Sequence, residues 1–168
     1  MTARPGLDDL VEFHLISQLK FRYLRCLDQK SWAELAQVFT DDVTASYGGG
    51  TVQLDGRDAV VDFLHGALGD TGMLTSHRCT QPEIELTAPD EATGVWALTD
   101  IVVHTTFGVT ITGAAFYTDR YRKVDGEWRI AHTGYKRTYE EIFPRRSIDG
   151  LRVTADWWTT DGRSSLIG

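Results

Sequence analysis

The stretch from Met73 to Thr106 constrains this chain most, because it reads as one long β-hairpin with a histidine on one arm and an aspartate on the other. The first arm, Thr75 to Thr87, passes through Ser76-His77-Arg78-Cys79. The second, Ala92 to Thr106, alternates apolar and polar residues through Trp96, Leu98, Asp100, Val102 and His104. Ala88-Pro89-Asp90-Glu91 between them is a turn signal. Facing residues of an antiparallel pair lie equally far from the turn, and His77 and Asp100 do so about Pro89 to within about one residue. Directly opposed side chains leave the same face with Cβ atoms about 4.5–5.5 Å apart, within reach of a carboxylate–imidazole hydrogen bond. The pattern therefore predicts His77 as a general base oriented by Asp100. A register different by one residue would separate them onto opposite faces and leave His77 an ordinary strand histidine.

Before the hairpin, Leu10, Phe13, Ile16, Leu19, Tyr23 and Leu27 recur at helical spacing, which predicts a helix over Leu7 to Leu27 with Tyr23 facing inward. Asp28 falls at its end, where a carboxylate meets the negative end of the helix dipole; it is either a functional group or an exposed linker residue. Ser31 and Glu34 fit a capping box that starts a short helix to Phe39. Val43 to Tyr47 is a short strand ending at three glycines, and Asp55-Gly56-Arg57-Asp58 caps a helix from Arg57 to Leu68. Beyond the hairpin, Val109 to Val124 and Glu127 to Tyr139 are strands joined at Asp125-Gly126. Helices set to one side of a mostly antiparallel sheet define an α+β domain.

A chain of 168 residues forms one domain with a real core. Its net charge of −7 disfavours a general nucleic-acid binder and suits a small neutral or apolar ligand. No apolar run approaches a membrane span and the first residues carry no apolar signal core, so a cytoplasmic protein without membrane contact is expected. Cys26 and Cys79 have neither disulfide-framework nor zinc spacing and read as buried thiols.

The order of elements resembles the nuclear transport factor 2-like superfamily, and within it the SnoaL-like branch that includes bile-acid 7-alpha dehydratase and, more distantly, scytalone dehydratase. The likeness is carried by Tyr23 with Asp28, Trp32 through Phe39-Thr40-Asp41-Asp42-Val43, Gly56-Arg57-Asp58-Ala59-Val60, Thr75-Ser76-His77, and Trp128-Arg129-Ile130 through Arg137, together covering about residues 7 to 143. The resemblance implies a cone-shaped domain whose curved antiparallel sheet wraps around the N-terminal helices to leave one deep apolar pocket. It also implies that Tyr23, Asp28, His77, Asp100 and Arg137 line that pocket. The adjacent Tyr-Asp pair of scytalone dehydratase is absent, since Cys26 and Leu27 precede Asp28, and its second histidine has no sure counterpart; His104 matches only in rough position.

The expected chemistry is proton abstraction beside a carbonyl or enone by His77, with Tyr23 or Tyr47 donating to the enolate oxygen. Asp28, raised in pKa by an apolar wall and the helix end, would protonate a departing hydroxyl. That set eliminates water without metal or cofactor, and without a leaving group it isomerises. Tyr47, Arg137, Trp96, Phe116 and His104 are the expected substrate-binding residues, although Trp96 and Phe116 serve equally as core. Arg137 serves equally in an ion pair with Asp28 or Glu140. His132 reads as a core histidine, His14 and His65 as helix-surface residues. The reading is a dehydratase or isomerase of steroid-like or polyketide-like rings. A non-catalytic ligand-binding or assembly module, and an epoxide hydrolase or cyclase, are the alternatives. Residues 1–143 form the domain. Residues 144–168, with Trp157 and Trp158 too apolar for a free tail, form a lid or a subunit contact in a homo-oligomer, dimer or trimer.

Overall fold

A computed structural model describes residues 5–166. Leu7–Asp28 is helix α1, with Ile16, Leu19, Tyr23 and Leu27 buried on one face as their spacing requires. Leu10 departs from that stripe and is 52% exposed. In the first turns it is Asp9 and Phe13 that turn to the sheet, bordering a groove against Ile84 and Leu86. Helix α2 is shorter than its apolar pattern suggested, Trp32–Ala36. Ser31 makes no side-chain cap there, and Glu34 is bound by Arg25 instead. Phe39 already belongs to strand β1, Phe39–Tyr47, because it is paired with Ile130 far along the chain.

Strand β2, Val52–Asp55, returns on β1, and helix α3, Arg57–Leu68, follows as expected with Val60 and Leu64 buried. Its cap is Gly56 at φ 88°, with no side-chain cap bond, so the tetrapeptide starts the helix through glycine's access to the left-handed region. Four long strands complete the chain: β3 Met73–Ala88, β4 Glu91–His104, β5 Val109–Val124 and β6 Glu127–Pro144. Asp125 and Gly126 both have positive φ, the geometry of a tight hairpin turn that follows the sheet's twist. In β3 the register slips between Thr80 and Glu83, where Gln81 takes φ 52° and Pro82 follows. A proline is tolerated there because β3 is an edge strand and the site is a bulge.

The sheet order is β2-β1-β6-β5-β4-β3. All neighbours are antiparallel except β1 and β6, a parallel pairing between distant segments that local pattern does not announce. The six strands form a curved, unclosed sheet with the helices packed on its concave side, which is the α+β architecture expected. Cys26 and Cys79 are buried and free, and burial pushes each thiol up to about 11. No helix among the described residues is long and apolar enough to cross a membrane. After Pro144 comes one 3-10 turn, Arg145–Ser147, then irregular chain in which the Trp158 ring lies 4.8 Å from the Lys30 ammonium.

Candidate active site

The hairpin has the register its turn predicted: His77 pairs with Asp100. Both side chains border a cavity of about 320 Å³ between the sheet and helices α1 and α3, walled by Leu27, Phe63, Leu64 and Leu98. Volume and apolar lining are those of a small-molecule site. A larger groove of about 620 Å³, between the start of α1 and the far end of β3, is bordered by Asp9, Glu83 and Glu85 but by no histidine or tyrosine.

The two opposed residues do not serve each other. Nδ1 of His77 is 2.6 Å from Oδ1 of Asp28, the last residue of α1, and the His77 backbone N–H donates to Oδ2 of the same carboxylate at 2.9 Å. The Thr75 hydroxyl adds a third donor to Asp28 at 2.8 Å. A carboxylate on Nδ1 fixes the tautomer in which Nδ1 carries the proton, which leaves Nε2 of the neutral ring as the acceptor for a ligand. Asp28, not Asp100, is thus the orienter.

Asp28 also differs from the raised acid that its helix-end position suggested. Burial pushes its carboxyl upward, but the bonds from the His77 ring and backbone and from Thr75 outweigh burial and hold it below the usual carboxylate range. Held down in this way, it stands as a charged acceptor against His77 and lacks the raised pKa expected of a proton donor. It reaches the cavity only through His77; its own exposed edge faces two outer clefts, one beside Arg78 and Cys79 and one beneath Trp157 and Trp158.

Asp100 is held by Arg137, through Nη1 to Oδ1 and through Nη2 to Oδ2 at 2.9 Å. Arg137 stands on β6, two strands away, and reaches Asp100 across Gly113 of β5, the residue paired with Asp100. A Cβ at Gly113 would lie 2.7 Å from Arg137 Nη1, so the missing side chain makes the crossing possible. Nε of Arg137 faces Glu140 at 3.3 Å, one of the two ion pairs the sequence offered. The guanidinium stays cationic, stabilised first by its bond to Asp100.

Four phenols share the cavity wall: Tyr135, half-buried, and three buried ones, Tyr23, Tyr47 and Tyr117. The hydroxyls of Tyr23 and Tyr47 are 3.5 Å apart. Burial raises all three well above the ordinary phenol value, which keeps them neutral donors. Tyr117 was not among the sequence candidates, yet its pairing with Trp96 puts it on the inner face, and so does its alternation with the buried Asp119 and Tyr121.

Three of the expected substrate-binding residues lie elsewhere. Trp96 points inward but is fully buried in the packed core away from the cavity lining, where its indole N–H donates to the Tyr121 hydroxyl at 2.8 Å. Phe116 is 52% exposed on the outer face, because the register that turns Gly113, Ala115 and Tyr117 inward turns it out. His104 ends β4 with its ring 4.2 Å from that of Phe107, four residues beyond Asp100 and outside the cavity lining. His132 accepts or donates to the Thr44 hydroxyl at 2.7 Å, a satisfied structural histidine.

Residues 10–134 match the family model described as SnoaL-like domain. Among solved structures, one provisionally named scytalone dehydratase from Novosphingobium aromaticivorans is 28% identical, with a TM-score of 0.74 over 79% of this chain and 88% of that one. A hexachlorocyclohexane dehydrochlorinase from Novosphingobium barchaimii is 20% identical, with a TM-score of 0.75 over 89% of this chain and 99% of that one; at that identity the likeness is one of fold. A Mycobacterium tuberculosis protein of unknown function is 25% identical, with a TM-score of 0.66 over 81% and 78% of the two chains.

Proposed function

The chain belongs to the SnoaL-like domain family, and from that membership and the geometry of the cavity we propose a lyase of the dehydratase type, or an isomerase, that acts on a ring substrate of steroid-like or polyketide-like character without a cofactor. The observation that carries the reading is the Asp28–His77 pair, with Nδ1 occupied and the ring bordering an apolar cavity. Nε2 takes a proton from a carbon made acidic by a neighbouring carbonyl, and Asp28 stabilises the imidazolium that results. Charge appears on the carbonyl oxygen, where the neutral hydroxyls of Tyr23, Tyr47 and Tyr117 supply donors. In a dehydration the β-hydroxyl then leaves and receives the proton that His77 took, so water departs and the enzyme is restored. In an isomerisation the same proton returns to a different carbon. The relative named for scytalone dehydratase agrees in reaction class.

The test is turnover of cyclic β-hydroxyketones and β,γ-enones, followed by absorbance of the conjugated product. His77→Ala is expected to lower kcat by at least about a hundredfold, the scale of a general base, with the circular dichroism spectrum unchanged. Equal turnover by wild type and His77→Ala would overturn the mechanism. Tight binding of these ketones with no turnover would make the protein a binding module.

A further inference from the structure

Lys20 of α1 and Asp119 of β5 form an ion pair, Nζ to Oδ2 at 2.7 Å, with both side chains fully buried. Stability alone does not favour such a pair, since desolvation of two charges commonly cancels their attraction and an apolar pair of similar volume would hold as well. The two ends are unequally satisfied. Asp119 accepts from the Thr133 hydroxyl on Oδ1 and from the Tyr121 hydroxyl on Oδ2, both at 2.8 Å. The Tyr121 hydroxyl is itself held by Trp96. Lys20 has no well-directed hydrogen bond among the described residues. Its ammonium rests instead on aromatic faces, 3.4 Å from the ring centre of Tyr117 and 4.8 Å from that of Tyr23. Tyr117 and Tyr23 both line the cavity, so the cation rests on two of its wall residues without bordering the cavity itself.

We propose that Lys20, anchored by Asp119, is a positioning residue that strengthens Tyr117 and Tyr23 as hydrogen-bond donors toward negative charge on a bound oxygen. A cation on the face of a phenol draws electron density from the ring and its oxygen, which makes the O–H a better donor, and the effect is large where water is excluded. The inference rests on the cavity being a site where an oxygen gains negative charge. It assigns to Lys20 a part of that stabilisation although the lysine does not border the cavity.

The test uses binding, with 2-naphthol and its more acidic ring-substituted derivatives as probes and naphthalene as the neutral control of similar size. Wild type is expected to bind the naphthols more tightly as their acidity rises, with a graded absorbance shift toward the naphtholate. Lys20→Met is expected to weaken the most acidic naphthol by about tenfold, the scale of one desolvated cation–π contact, and to leave naphthalene affinity unchanged. Lys20→Met/Asp119→Asn removes both charges while keeping an acceptor for Thr133, and is expected to behave the same if the single variant fails to fold. In a Tyr117→Phe background the effect of Lys20→Met is expected to shrink to a remnant carried through Tyr23. Equal weakening of naphthol and naphthalene, or an undiminished acidity dependence in a folded variant, would overturn the proposal while leaving the proposed reaction standing. Absence of any acidity dependence in wild type would overturn both.

Discussion

Asp28 holds His77 at two points, accepting from the ring Nδ1 at 2.6 Å and from the backbone N–H at 2.9 Å. The backbone bond matters as much as the ring bond, because it ties the end of α1 to a fixed residue of β3 and so sets where the imidazole stands. The helix-end position that disfavours a carboxylate is compensated here by donors from the sheet.

Asp28→Asn keeps the shape of this contact but removes the charge and offers Nδ1 an ambiguous partner. Turnover is expected to fall by about a hundredfold or more with little change in KM, since a wrongly protonated ring binds substrate but cannot take its proton. Steady-state kinetics on whatever ketone wild type turns over will check this. A variant as active as wild type would remove Asp28 from the mechanism.

The same carboxyl links stability to pH. Its folded-state pKa lies below its ordinary value of 3.8, so the folded chain binds that proton less readily than the unfolded chain. Its stabilising contribution is complete above about pH 5 and disappears as pH falls through the ordinary value and then the folded one. Urea midpoints at neutral pH and near about pH 3 should differ less in Asp28→Asn than in wild type. The remaining acid sensitivity of the variant includes Glu12, whose carboxyl is lowered by bonds from Lys123 and Trp128. Identical acid sensitivity in the two proteins would show that Asp28 is not held down as described.

Gly113 is the notch through which Arg137 reaches Asp100. A methyl there meets Arg137 Nη1 at 2.7 Å and the Tyr139 carbonyl oxygen at 2.8 Å, and the second of these is backbone that cannot swing aside. Gly113→Ala is expected to destabilise the fold by about 1–3 kcal/mol and to break the bidentate pair. Denaturant unfolding gives the first quantity, and a ligand series that probes Arg137 gives the second. A variant of unchanged stability would mean that β5 and β6 separate there at little cost.

Residues 155–158 border a cleft together with Asp28 and Thr75, with Trp158 against Lys30 and Trp157 57% exposed. Deleting residues 147–168 is expected to leave the mass in light scattering unchanged while altering affinity for cavity ligands, as a strap over the outer side of the pair should. A fall in mass would make the segment a subunit contact. Unchanged mass and unchanged affinity would reject both roles.

Much of the fold was legible because its cues are local. Alternation and turn chemistry set the register that opposes His77 and Asp100. The Asp125-Gly126 turn marked the bounds between β5 and β6, and apolar spacing gave α3 its full length. Alternation also carries Tyr117, Asp119 and Tyr121 to one face once the register is known, a signal present in the chain. Lys20, four residues after Ile16 and three before Tyr23, lies on the buried stripe of α1 and is visible in the same way.

What the sequence could not decide is which partners those residues take. The choice of Asp28 over Asp100 depends on where α1 ends against β3, a contact between segments 49 residues apart that no periodicity encodes. Arg137 crosses Gly113 to bind Asp100 while His77 is bound from the end of α1, and both contacts depend on the spacing of strands and helix in three dimensions. Periodicity reports which face a side chain occupies; the partner on that face is set by packing between distant segments, where one methyl group or one turn of helix changes the outcome.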